Sequence, residues 1–86
     1  MKLLKNIKCT IIDIGYVYST YRDWIEENFS WALQKYRFIE FTGPDISKEY
    51  VIIGSTLPNE MYGTIYLIVD EESRQLYIIG KRGLKF

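Results

Sequence analysis

Two apolar runs, TIYLIV (Thr64–Val69) and LYII (Leu76–Ile79), bracket the polar segment DEESR (Asp70–Arg74). A strand with one wet face alternates apolar and polar side chains. These runs are β-branched or aromatic at almost every position, so both of their faces need cover. They read as a strand, a hairpin turn and a returning strand. After them Gly80–Gly83 turns the chain once more, and Leu84 and Phe86 add a short last strand. Upstream, EYVIIG (Glu49–Gly54) is another short apolar strand, followed by a loop over Ser55–Gly63 with a turn signal at Pro58-Asn59.

The first strand is expected over Ile7–Ile14, where Ile7, Cys9 and Ile11 alternate with Lys8 and Thr10. Ile12 and Ile14 then fall on the opposite face, so the end of this strand is expected to be covered on both sides. Gly15 marks a bend after it. A helix follows, over about residues 20–36, with its regular turns from Tyr21 to Tyr36. Ser19 and Thr20 are candidate N-caps, and Asp23 sits where a capping box places an acid. Acids crowd its start and Lys35 and Arg37 its end, as the helix dipole favours. FIEFTGPDISKEY then connects to the next strand through a turn at Gly43-Pro44-Asp45.

The order is β-α-β-β-β in a chain of 86 residues, which is one α+β domain over residues 1–86. Two architectures leave so little strand surface open. One is a strongly bent antiparallel sheet or partly open small SH3-like barrel with the helix closing one end. The other is a twisted antiparallel sheet with the helix across one face. The first is preferred.

Composition excludes several functions. The chain has no histidine and a single cysteine, Cys9. Ser-His-Asp and Cys-His nucleophile systems are therefore unavailable, as are imidazole and cysteine-rich zinc sites. No glycine motif for phosphate is present and no pair of carboxylates stands out, so the protein is expected to be no enzyme, with no cofactor, no metal and no catalytic residues. Asp70, Glu71 and Glu72 lack a calcium-loop spacing and read as an exposed turn. Asp13 reads as a strand-end or loop-capping residue, and Cys9 as a buried, inert thiol. Eleven basic and eleven acidic residues cancel, which gives no global pull toward nucleic acid. No apolar run approaches the ~20 residues that span a bilayer, and no signal peptide is evident. The expected compartment is the cytoplasm, with no membrane as partner.

The candidate binding residues are aromatic. On a helical wheel Tyr21, Ile25, Phe29, Ala32, Leu33 and Tyr36 form the core stripe. Trp24 and Trp31 lie off it, seven residues apart, with Asn28 and Lys35 beside them. The functional reading is a partner-binding face of Trp24, Trp31, Asn28 and Lys35, with Tyr16 and Tyr18 in the approach to the helix as further contacts. The structural reading is that both indoles cover the edge of the sheet. A second candidate surface is basic: Lys81, Arg82 and Lys85, with Lys2, Lys5 and Lys8 near it if the terminal strands pair. Cations beside tyrosines on a small barrel suit single-stranded nucleic acid, whereas a solvated charge surface is the structural alternative.

YSTYRDW (Tyr18–Trp24), the KYRF that ends the helix (Lys35–Phe38) and the tail TIYLIVDEESRQLYIIGKRGLKF (Thr64–Phe86) together resemble a group of small proteins. These are proteins of unassigned function encoded by phages and integrated mobile elements of Firmicutes. In them an aromatic-Ser/Thr-Thr-Tyr segment opens a helix and a YLI-D…YIIG--GL hairpin ends the chain. The resemblance covers about two thirds of the sequence and departs at FTGPDISKEY, where those proteins have a glycine-rich approach. It brings no functional residues. What it implies is a bacterial host cytoplasm and a protein-binding role, as an inhibitor of a host or defence protein. The alternatives are a small barrel for single-stranded nucleic acid and a homodimer.

Overall fold

A computed structural model describes residues 7–18, 20–41, 43–56 and 63–86. Six antiparallel strands form one sheet: β1 (Ile7–Ile11), β2 (Val17–Tyr18), β3 (Glu49–Ser55), β4 (Ile65–Asp70), β5 (Gln75–Gly80) and β6 (Leu84–Lys85). Their order across the sheet is β2-β5-β4-β3-β1-β6. The two outer strands are not independent edges. β2 continues β1 after a 3-10 turn at Ile14–Tyr16, and β6 continues β5 after a 3-10 turn at Lys81–Gly83. Since β1 pairs with β6 and β2 with β5, four bent chain segments pair in a ring. This is the expected α+β architecture of a strongly bent sheet, a half-open small barrel.

The alternation of side chains divides the sheet into two cores. Cys9, Ile11, Tyr50, Ile52, Ile68, Tyr77, Ile79 and Leu84 fill the enclosed face, and every segment of the ring contributes. Val51, Ile53, Leu67, Val69, Leu76 and Ile78 face the other way, against Ile25, Phe29 and Ala32 of the helical segment. The register carries this sorting across three strands: Ile52 lies opposite Ile68 and Ile68 opposite Tyr77 on the enclosed face. Val51, Val69 and Leu76 do the same on the outer face. β4 and β5 are apolar on both faces because each face meets a separate core. The helical segment lies across the outer face of β3–β5 rather than closing one end of the barrel.

That segment is not one continuous helix. α1 spans Arg22–Asn28 and α2 spans Ala32–Lys35, with Phe29 between them at φ −141° and ψ 47°. The break lets Phe29 drop onto the sheet at Gly54. A bulge between Ile52 and Gly54 places an extra residue, Ile53, in β3, so Ile53 and Gly54 both meet the helical layer. A Cβ at Gly54 would lie 2.3 Å from the Phe29 ring, so the two residues are a matched pair. A helical wheel assumes one unbroken 3.6-residue period from Tyr21 to Tyr36, whereas α1 begins only at Arg22 and ends at Asn28. Tyr21 is 56% exposed instead of core, and it is the N-cap residue of α1. Its side chain makes no capping bond. The helix starts after Tyr21, so Thr20 does not cap it; Ser19 lies outside the described residues.

The strand expected over Ile7–Ile14 stops at Ile11. Asp13 then accepts a hydrogen bond from the Gly15 amide at 2.8 Å and caps the 3-10 turn, the loop-capping role its sequence suggests. Ile12 and Ile14 are not covered: they are 62% and 60% exposed. The Pro58-Asn59 turn lies outside the described residues. β2 was hidden in the sequence because two residues show no alternation.

Candidate functional site

The helical layer holds most of the candidate residues, and the structure separates them. Trp24 is half-buried, packed against the outer core, with its ring 5.3 Å from that of Phe29. Asn28 is half-buried too, and its side-chain amide donates to the Trp24 carbonyl at 2.9 Å. The bond ties the last residue of α1 back onto the turn before it. Trp31 stands beyond the break, 38% exposed, and Lys35 is exposed on α2. The seven-residue spacing therefore does not put the two indoles on one continuous helical face. Trp24 packs on the outer core, and Trp31 is the indole that this core does not take up.

Tyr16 and Tyr18 face different cores. Tyr16 packs against the enclosed core, and Tyr18 against the outer one, where its ring meets Tyr21 edge-on at 5.6 Å. The change of face follows from β2, since Val17 and Tyr18 oppose Ile79 and Ile78 in turn. Both tyrosines are half-buried, with Tyr21 the more open ring.

The connection from α2 to β3 carries a further exposed ring. Phe41 is 79% exposed and has a left-handed backbone, φ 61°. Such a conformation disfavours a side chain with a Cβ. Ile39 and Ile46 are exposed in the same connection. Sequence reasoning passed over Phe41; the available signal was a phenylalanine placed within a Thr-Gly-Pro turn, outside any periodic pattern.

The basic candidates lie at the turn from β5 into β6. Lys81 and Arg82 are exposed on the second 3-10 turn, and Lys85 is exposed on β6. Lys85 pairs with Thr10, so the terminal strands do meet. Lys8 does not join that group, because its ammonium binds Glu49 at 3.5 Å. Lys2 and Lys5 lie outside the described residues.

An ionic cleft of about 280 Å³ opens beside the β4–β5 hairpin, lined by Lys8, Lys48, Glu49, Val51, Asp70 and Glu72. Lys48 bridges Asp70 at 3.1 Å and Glu72 at 3.5 Å. Burial alone would raise the Asp70 carboxyl. Hydrogen bonds from Lys48, Ser73 and the Glu72 amide outweigh it and hold that carboxyl below its usual range. Lys48 is shifted upward by its hydrogen bond to Asp70. The Glu72 amide donates to Asp70 Oδ1 at 3.1 Å, and the Arg74 amide to the Asp70 carbonyl at 2.7 Å. These partners account for Asp70 as the residue that closes the hairpin. Deeper in the same end of the barrel, Tyr50 donates to the Asp45 carbonyl at 2.7 Å, and burial pushes its hydroxyl up to about 12.

Cys9 is 2% exposed, and burial with the nearby Glu49 pushes its thiol up to about 11. A thiol so shifted is protonated at neutral pH and is a poor nucleophile. Among the described residues no three carboxylate or thiol groups converge as metal ligands. Comparison with protein-family models, curated proteins and solved structures found no match to this chain.

Proposed function

We propose that this chain is a small non-catalytic module that binds a partner protein through the outward side of its helical layer. Trp31 is the anchor, with the exposed Lys35 of α2 as a further contact. The observation that carries the reading is the contrast between the two indoles. Trp24 is engaged with Phe29 and the outer core, while Trp31 stands open past the helix break. Exposed tryptophans concentrate binding energy at protein interfaces, because a large rigid ring loses little entropy on docking. The resemblance to phage and mobile-element proteins supports a host or defence protein as the partner, and inhibition as the outcome.

The test is affinity capture from a bacterial host lysate, followed by titration of the captured protein in purified form. Trp31→Ala is expected to weaken that binding by roughly 30-fold, the loss typical of a hot-spot residue, while its melting temperature stays close to that of the parent. Unchanged affinity in Trp31→Ala, or a marked fall in its melting temperature, defeats the reading. Sedimentation at several concentrations distinguishes a second copy of this chain as the partner.

A further inference from the structure

A second surface lies where the ring of strands turns its corner. The two 3-10 turns pack on each other there: the Ile12 amide donates to the Gly83 carbonyl at 2.8 Å. Gly83 permits this approach, since a Cβ would sit 2.8 Å from the Asp13 carbonyl oxygen. Backbone contacts hold the corner; Tyr16 and Leu84 turn in to the enclosed core, while Ile12, Ile14, Lys81 and Arg82 are left exposed. Ile12 and Ile14 project from one turn. Lys81 and Arg82 project from the other, and Lys85 follows on β6. Among the described residues none of these three cations forms an ion pair. Asp13, the acid that caps the first turn, has a carboxylate oxygen engaged by the Gly15 amide.

We infer that this corner is a peripheral attachment site for an anionic lipid bilayer, with Ile12 and Ile14 entering the headgroup boundary and Lys81, Arg82 and Lys85 facing acidic headgroups. The composition of the patch selects that occupant. Interfaces with proteins favour Trp, Tyr and Arg and are depleted in lysine. Sites for single-stranded nucleic acid stack bases on open aromatic faces. Here the Tyr16 ring packs on the enclosed core, and Phe86, beside Lys85, is exposed but engaged edge-on by Tyr66 at 5.7 Å, so the apolar tips of the first turn are the aliphatic Ile12 and Ile14. Aliphatic tips beside cations that form no ion pair among the described residues use both forces a bilayer offers: burial of apolar area and attraction to negative headgroups. Among the described residues no helix is long and apolar enough to cross a membrane. Peripheral attachment needs none, and so the sequence expectation of no membrane partner, which rested on spanning runs, does not bear on it. This inference is independent of the Trp31 surface.

The experiment is flotation of the full chain with vesicles of phosphatidylglycerol and phosphatidylcholine, against vesicles of phosphatidylcholine alone. Binding is expected to the anionic vesicles only and to fall as salt is raised. Lys81→Gln with Arg82→Gln is expected to weaken partition about 25-fold, roughly fivefold for each cation lost. Ile12→Ser with Ile14→Ser is expected to weaken it at least about tenfold, since apolar insertion contributes alongside charge. Circular dichroism melts confirm that the variants fold; the glutamine pair alters only exposed side chains and keeps the test decisive if the serine pair does not fold. The inference is overturned by absence of binding to anionic vesicles at low salt, or by equal binding to neutral ones. An undiminished partition of the serine pair also overturns it. So does a single-stranded oligonucleotide that binds through the same cations and displaces the vesicles.

Discussion

The two faces of the sheet are covered by different means, and they differ in how firmly they are held. The enclosed face is covered by the sheet itself. Every strand segment lends side chains to it, and each is fixed by ladder bonds on either side. The outer face is covered by two helices of seven and four residues, each too short to be stable in water alone. Their attachment rests on Ile25, Phe29 and Ala32. The enclosed core therefore defines the fold, and the helical layer is the part a single substitution can lift.

The largest expected effect comes from Gly54→Ala. The new methyl group meets the Phe29 ring, and the fit costs about 2–3 kcal/mol or more. Urea unfolding measures this, and Phe29→Leu in the Gly54→Ala background is expected to restore part of it. Without such rescue, the helical layer is not held at that point. Next is Trp24→Ala, which removes half-buried ring area from the outer core and its contact with Phe29. A loss of about 2 kcal/mol is expected, against a smaller loss for Trp31→Ala; equal losses would erase the distinction between the indoles.

The hairpin that joins the two faces gives a smaller effect with a pH signature. The Asp70 carboxyl is held low in the folded chain by its hydrogen bonds, against the pull of burial. Its contribution is therefore full above the unfolded value of about 3.9 and is lost as pH falls through the lower folded value. Asp70→Asn is expected to cost about 1–2 kcal/mol at neutral pH and to flatten the acid limb of a stability–pH curve. An acid limb as steep as the parent's would show that other carboxylates carry it. The smallest effect is a gain. Phe41→Asn relieves a left-handed phenylalanine, with an expected stabilisation of up to about 1 kcal/mol read as a rise in melting temperature.

The strands were legible because their chemistry is local. TIYLIV and LYII announce cover on both faces before any partner is known, and Asp13 beside Gly15 announces a capped turn. Residues whose placement depends on distant chain were not legible. Phe29 looks like an ordinary core position on a wheel; only the glycine at position 54, in another strand, shows why the helix must break there. Ile12 and Ile14 look like strand residues because nothing nearby tells that Gly83 will meet the backbone at Ile12 and end the alternation. Of the candidate contact residues, Trp31 and Lys35 lie open, while Asn28 and Trp24 hold the layer together. A sequence pattern records that a side chain lies off the core stripe. It does not record whether a break in the helix brings the residue back.

The ring of pairings also sets an order of events. The β4–β5 hairpin closes over a short turn and can form as soon as its residues exist. β1 meets β6 by pairing Thr10 with Lys85, nearly the whole sequence apart. Loop closure of that length is slow. On the ribosome, β1 must wait with one edge unpaired until β6 has emerged, and in that interval the nascent strand is open to any other β-edge it meets.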